Sequence, residues 1–235
     1  MTTPVRLLIH GASGRMGQAL LRLAAEEPGG HVVAAVSRSG NAVLPLQVPQ
    51  FPATALEAVP DFDVAVDFSL PEGFDAVLAL CLSRGAALVS GTTGLDAARK
   101  QRLETASASI PLVWASNFSL GVAVLHDLVA RAAQLLPGWD CDIVEAHHTR
   151  KLDAPSGTAL TLGAAAQASG ARPHYASIRA GDIVGEHVVQ FAAAGERIEL
   201  VHRATNRDIF ARGALHVATR LHGHAPGRYR VAELL

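Results

Sequence analysis

The stretch VRLLIHGASGRMGQALLRLAAEE, from Val5 to Glu27, constrains the fold of this chain most tightly. Val5 to His10 is a short apolar run without helical period, bounded by Pro4 and Gly11, and suits a buried parallel strand. A glycine-rich turn follows. From Met16 to Glu27 leucines and alanines recur at helical spacing until Pro28-Gly29-Gly30 stops the run. His31 to Val36, HVVAAV, then reads as a second strand. Strand, turn, helix and strand in so short a span form a βαβ unit, whose crossover makes the two strands parallel.

The alternation continues. DVAVDFS (Asp63 to Ser69) is strand-like, and PEGFDAVLALCLSRG is helical, with Pro71 at its start and Gly85 at its end. ALVSGTTG and PLVWASN are two further strand-to-loop segments, separated by a helical stretch from Asp96 to Ser107. This order predicts an α/β fold with a Rossmann-like, doubly wound parallel sheet. Ligands of such sheets sit at the carboxyl ends of the strands, where GASGRMG, DFSLPEG, GTTG and ASNFS fall.

After Asn117 the texture changes. SLGVAVLHDLVARAAQLL reads as a connecting helix, CDIVEAH as a strand, and Gly157 to Ala168 as another helix. Three strand candidates follow in hairpin-like succession, ASIRAGDIVG, EHVVQFAAAG and ERIELVHRA, with Gly185 and Gly195 near the turns. RDIFARGALHVATRLHG is a last helix, and GRYRVAELL a short segment expected to return to the first domain. The expectation is a dinucleotide-binding domain over residues 1–118 and 208–235. A second, α+β domain with an open mixed or antiparallel sheet is expected over 119–207, for substrate binding and oligomerisation.

With 49% hydrophobic residues the chain can bury a substantial core, and 20 basic against 21 acidic residues leave no net field for nucleic acid or an anionic membrane. Cys81 and Cys141 show neither CxxC nor Cys/His ligand spacing, so they read as free thiols in a reducing compartment, and no metal is expected. The N-terminal apolar stretch is interrupted by Arg6 and His10 and lacks a small-residue cleavage site, so a signal peptide is not expected there. No apolar run approaches the ~20 residues that span a bilayer. A cytoplasmic protein is expected.

Gly11-Ala12-Ser13-Gly14-Arg15-Met16-Gly17 lies between a strand and a helix, the context in which a glycine pattern carries meaning. Small residues let the backbone approach a pyrophosphate, and the helix start turns N–H groups and partial positive charge toward it. The spacing is GxxGxxG rather than GxGxxG. A dinucleotide site commonly places an acidic residue about 20 positions further on, for the ribose 2′-hydroxyl. Here the second strand ends Val36-Ser37-Arg38-Ser39, and a guanidinium at Arg38 favours the 2′-phosphate of NADP. NADPH is therefore the expected donor, with NADH also possible.

The segment EAHHTRKLDAPSGTAL, Glu145 to Leu160, gathers His147, His148, Arg150 and Lys151 directly before Pro155-Ser156-Gly157-Thr158 at a helix start. Histidine and lysine can both deliver the proton that must follow hydride transfer to a double bond. N–H groups and hydroxyls at a helix N-terminus suit a carboxylate. Cations beside such a site point to a small, multiply anionic substrate. Two histidines without a third ligand of metal spacing make a poor zinc site.

These motifs together resemble the 4-hydroxy-tetrahydrodipicolinate reductase (dihydrodipicolinate reductase) family over nearly the whole chain: GASGRMG, VDFSLPEG, GTTG, ASNFSLGV, EAHHTRKLDAPSGTAL and HRATNRDIFARGAL. The EAHHxxKxDAPSGTA pattern is far more specific than the glycine loop. The resemblance implies an NAD(P)H-dependent reduction in diaminopimelate and lysine biosynthesis, by hydride transfer and then proton donation to a small dicarboxylate. It implies an acid/base pair of His147 and Lys151, with Lys151 as proton donor. His148 would bind substrate, and Gly157 and Thr158 would hold a carboxylate. Gly11 to Met16, Gly91-Thr92-Thr93, and Ala115-Ser116-Asn117-Phe118 would contact the cofactor. Asn117 and Phe118 would also mark a hinge for domain closure, and a homotetramer would form through the second sheet. Two positions depart from the family. Ser37 stands where many members carry an acid, which turns the expectation away from NADH. Leu70 stands where many carry a base, which removes an adenosine-side contact. The competing readings are another two-domain dehydrogenase, acting on aspartate or homoserine, and a non-catalytic NADP-binding regulator.

Overall fold

The computed structural model describes residues 3–26 and 29–235. The chain divides into two compact units, Met1–Phe118 with Phe210–Leu235, and Ser119–Ile209. Among the described residues no helix is long and apolar enough to cross a membrane.

The first unit is built on a parallel sheet of seven strands: β1 (Val5–His10), β2 (Gly30–Ser37), β3 (Gln50–Pro52), β4 (Val64–Asp67), β5 (Ala87–Ser90), β6 (Pro111–Trp114) and β11 (Gly227–Tyr229). Their order is β11-β6-β5-β4-β1-β2-β3, the arrangement expected of a Rossmann-like fold. Leu8, Ala65, Leu88 and Leu112 line one face of the sheet and pack with Phe74, Val77 and Leu103 from the helices α2 (Pro71–Arg84) and α3 (Ala97–Ser107). Leu7 and Ile9 are equally buried and, by strand alternation, point to the other face. The helix α2 has Pro71 in its first turn and closes on Gly85 in the left-handed conformation, as its local sequence demands. The first helix, α1 (Arg15–Ala24), ends before Glu27 and Pro28, the expected helix end and its stop, which lie outside the described residues.

The second unit has four strands, β7 (Asp140–His147), β8 (Pro173–Arg179), β9 (Gly185–Ala193) and β10 (Glu196–Ala204), in the order β10-β9-β7-β8. β7 and β9 bury every second residue against α4 (Leu120–Leu135) and α5 (Gly157–Ala168). Phe191, Val189 and Ile143 meet Leu125, Val129 and Leu162 there, and each large side chain so buried contributes about 1.5–3 kcal/mol.

One expectation is corrected. Only β9 and β10 form a hairpin, turning at Gly195 with φ +88. β8 begins at Pro173, ends at Arg179 and pairs in parallel with the far side of β7. The cause is the connection. β7 reaches β8 through α5, and a helical crossover delivers its strand parallel to the one it left. Apolar alternation locates a strand but does not name its neighbour. The last helix, α6 (Asp208–Leu221), and β11 complete the first unit, with β11 pairing to β6.

Candidate active site

In the first unit β1 ends at His10 and the chain turns at Gly11, with φ +79. A Cβ at Gly11 would lie 2.6 Å from the Phe68 carbonyl oxygen, and one at Gly17 would lie 2.3 Å from the Gly11 carbonyl oxygen. Neither position can carry a side chain, so the turn is pressed between α1 and the loop after β4. The Gly11 and Ala12 N–H groups donate to the Val36 carbonyl at 3.0 and 2.9 Å. Gly14 is the N-cap of α1 and brings no capping side chain, while Ser13, Gly14 and Arg15 are exposed and Met16 is half-buried. An uncapped helix start with small exposed neighbours fits a pyrophosphate. Arg38 is exposed two residues beyond Val36, whose carbonyl fixes the turn. Ser37 faces inward, and its Oγ accepts from the Gly40 N–H at 3.1 Å.

Sequence reasoning missed the centre of this arrangement. Asp67, the last residue of β4, is fully buried beneath the turns. Its carboxylate lies 2.7 Å from His10 Nδ1, and it accepts from Ser90 Oγ and Thr92 Oγ1 at 2.8 Å each and from the Ser69 N–H at 3.2 Å. Burial pushes this carboxyl up, but the bonds from His10, Ser69 and Thr92 outweigh it and hold it below the usual carboxylate range. Thr92 is thereby turned inward, and Trp114 Nε1 donates to its carbonyl at 2.9 Å. Gly91 leaves room for the Phe68 ring, 2.1 Å from where its Cβ would stand, and Thr93 is exposed. Ala115 and Asn117 are half-buried and Ser116 is exposed. Phe118 is buried, with its ring 5.5 Å from that of Phe68, so its side chain belongs to the core rather than to a ligand surface.

In the second unit the quoted segment folds into one cluster. β7 brings Glu145 and His147 to the helix-covered face, where His147 Nδ1 bonds Glu145 Oε2. Arg179, from the end of β8, grips Glu145 with both guanidinium prongs, at 3.0 Å to Oε2 and 2.7 Å to Oε1. Ser156, the N-cap of α5, donates its N–H to Glu145 Oε1 at 3.3 Å. Its Oγ accepts from the Ala159 N–H at 3.2 Å and lies 3.2 Å from His187 Nε2. Gly157 is exposed and Thr158 half-buried at the same helix start. Lys151 is half-buried, and its Nζ donates to both oxygens of Asp153 at 2.8 Å. His148 is half-buried, and burial together with Arg207, Arg150, Lys151 and Arg179 holds it below the ordinary histidine value.

The expected residues His147, His148, Lys151 and Ser156 to Thr158 are thus drawn together, and the structure adds Glu145, Arg179 and His187 to them. Burial pushes Glu145 up, yet Arg179, Ser177 and His147 pull it down to about 2. Burial lowers His147 against the opposing pull of Glu145, with Lys151 and Arg179 lowering it further. The cluster therefore holds an ionised carboxylate and a neutral imidazole near neutral pH. Among the described residues no group of three or more His, Cys, Asp and Glu side chains is arranged to hold a metal ion.

Comparison with known proteins covers both units. The family described as dihydrodipicolinate reductase, N-terminus, matches residues 5–118, and its counterpart, dihydrodipicolinate reductase, C-terminus, matches residues 121–235. A 4-hydroxy-tetrahydrodipicolinate reductase of Stenotrophomonas maltophilia (strain R551-3) is 72% identical over 235 residues, covering 99% of this chain and 98% of that one. A protein of the same name from Xanthomonas campestris pv. campestris (strain B100) is 67% identical, covering 100% and 99%. Among solved structures, the dipicolinate-bound dihydrodipicolinate reductase from Paenisporosarcina sp. TG-14 superposes with a TM-score of 0.85 at 22% identity, covering 99% and 100%.

Burial, reinforced by His147 and His202, lowers His187 from 6.5 to about 4. Between those values the unfolded chain binds more protons than the folded one, so stability falls as pH drops through that window. His187→Gln is expected to flatten the loss of thermal stability between pH 6.5 and 4. Melting curves recorded across this range check it, and slopes identical to wild type would overturn the assignment.

Proposed function

From the premise that the chain belongs to the dihydrodipicolinate reductase family, NAD(P)H-dependent oxidoreductases of diaminopimelate and lysine biosynthesis, we propose how its residues divide the reduction of 4-hydroxy-tetrahydrodipicolinate. One hydride and one proton are added and water is lost, leaving tetrahydrodipicolinate. The nucleotide supplies the hydride; the chain binds both partners and supplies the proton. The observation that carries the reading is the folding of Glu145 to Leu160 into one cluster of acid/base groups beside the start of α5.

The first unit, taken as residues 1–118 and 208–235, binds the dinucleotide. The loop from Gly11 to Met16 receives the pyrophosphate. Gly91-Thr92-Thr93 and Ala115-Ser116-Asn117-Phe118 contribute further contacts, chiefly through backbone, since Thr92 and Phe118 turn their side chains inward. Arg38 binds the 2′-phosphate, and NADPH is preferred over NADH. The exposed guanidinium and the inward-facing Ser37 support this, because no carboxylate is offered at that position to a free ribose hydroxyl.

The second unit, residues 119–207, binds the dicarboxylate. Ser156, Gly157 and Thr158 receive one carboxylate at the start of α5, and His148 binds the substrate beside it. The solved relative that carries dipicolinate, a planar dicarboxylate, supports that ligand class. Lys151 donates the proton as an ammonium, and His147 is its acid/base partner. Reprotonation of the amine from solvent closes the cycle.

The uncovered face of the second sheet is the oligomer surface. Val144, Ala146, Ala176, Ile178, Val188 and Val201 share that face by register, and Arg203–Glu186 and Arg197–Glu199 ion pairs flank it. An apolar centre with a charged rim is the composition of a subunit interface, and a homotetramer built on it is proposed. The buried free thiols Cys81 and Cys141 suit the cytoplasm.

Three measurements test these assignments. With freshly condensed pyruvate and aspartate semialdehyde, the wild type is expected to oxidise NADPH. Lys151→Ala is expected to lower kcat by about 100-fold or more with the fold intact. A protein that binds NADPH but never turns over would sink the reading. Arg38→Ala is expected to raise KM for NADPH by about tenfold or more, the loss of one charge-assisted contact, and to leave KM for NADH in place. Equal effects on both nucleotides would refute the 2′-phosphate role. Val188→Arg is expected to convert a tetramer in sedimentation velocity into smaller species, and an unchanged sedimentation coefficient would exclude this face.

A further inference from the structure

Resting on the family reading above, we propose that Glu145 and Arg179 are positioning residues: together they fix the tautomer of His147 and tie its ring, the Lys151 loop and the start of α5 into one rigid piece. Each of these substrate-facing parts reaches the pair directly. Glu145 Oε2 takes His147 Nδ1, and Glu145 Oε1 takes the Ser156 N–H at the helix start, 3.3 Å away. Arg179 donates through Nη2 to the Asp153 carbonyl at 2.6 Å, and the Asp153 carboxylate holds Lys151 Nζ at 2.8 Å. Arg179 also donates through Nη1 to the Ile178 carbonyl at 2.6 Å, which pins the guanidinium to its own strand.

The tautomer follows from what each atom can do. Glu145 has no exposed surface and is gripped by both prongs of Arg179, so it is an ionised acceptor without a proton to give. The bond from His147 Nδ1 therefore requires the hydrogen on Nδ1, and the neutral ring presents a lone pair at Nε2. On that side β9 begins with Gly185, whose missing side chain matters, since a Cβ there would stand 3.1 Å from Nε2. His147 thus receives rather than donates at Nε2, and the transferable proton belongs to the Lys151 ammonium. Arg179 keeps Glu145 from being a buried unpaired charge, a condition costly enough to drive its protonation and release the histidine.

The test is Glu145→Gln, which preserves shape but removes the obligatory acceptor, with Arg179→Lys as a second variant that keeps the charge and loses the double grip. Nitrogen-15 NMR of the histidine rings is expected to show His147 protonated at Nδ1 in the wild type, and to lose that state in Glu145→Gln. The same variant is expected to lose about 100-fold or more in kcat and to bind dipicolinate more weakly, while NADPH binding to the first unit stays as in wild type. Arg179→Lys is expected to fall between the two. A wild-type His147 protonated at Nε2, or a Glu145→Gln enzyme with unchanged kcat and dipicolinate affinity, would overturn the proposal. So would loss of NADPH binding in step with activity, which marks general unfolding. A wild type without turnover would defeat the division of roles proposed above, whereas the ring tautomer and dipicolinate affinity would still decide the role of the pair.

Discussion

A carboxylate removed from water persists as an anion only where donors meet its lone pairs, and that requirement organises both units. Asp67 and Glu145 are each fully buried near the carboxyl end of a strand. The donors that satisfy them come from different segments, so stabilising the charge also fixes the loops. Asp67 gathers His10, directly before the glycine turn, the start of the Ser69 loop, Ser90 at the end of β5 and Thr92 from the turn after it. Glu145 gathers His147, Arg179 and the first residue of the α5 cap. In each unit the segments expected to meet a ligand share one buried anchor.

The two anchors differ in how the charge is balanced. Asp67 has a histidine and neutral donors, and Glu145 has a guanidinium in bidentate contact. The bidentate pair is the more rigid, because two parallel bonds define a plane as well as a distance. That difference suits the roles proposed for the two units: a nucleotide held by many backbone contacts along its length, and a proton transfer that depends on the placement of one ring and one ammonium.

What could be read from the sequence was local. Pro71 and Gly85 bound α2, Asp96 and Ser119 cap α3 and α4, and the helix read from Gly157 to Ala168 is found with those limits because Ser156 caps it. The motifs placed the glycine turn, the 91–93 turn and the 145–160 segment by the same local chemistry. Pairings between distant positions were hidden. His10 and Asp67 are 57 residues apart and meet because β1 and β4 are adjacent in register, which no local pattern specifies. Glu145 stood in the quoted segment, but its partner Arg179 lies on β8, the strand whose neighbour was misassigned. A hairpin of β8 with β9 would have kept Arg179 away from β7. The parallel pairing sets Arg179 beside His147 and within reach of Glu145, so one error of topology concealed the anchor of the site.

The helix starts carry the same logic one level down. The caps of α3, α4 and α5 are side chains that accept an N–H of the first turn, while α1 starts at a glycine that accepts nothing through a side chain. A pyrophosphate presents several oxygens and needs the first-turn N–H groups left available, so α1 in its proposed role gains from lacking a cap. The role proposed for the start of α5 sets a different demand. There it receives only one carboxylate, with cations close by, and must keep station with the proposed acid/base residues. Ser156 satisfies that demand by spending its N–H on Glu145 and placing its Oγ between Ala159 and His187. Leu70 also leaves α2 without a side-chain cap, behind Pro71 in its first turn, so an open start alone marks no ligand; the opposite starts of α1 and α5 fit the groups proposed for each.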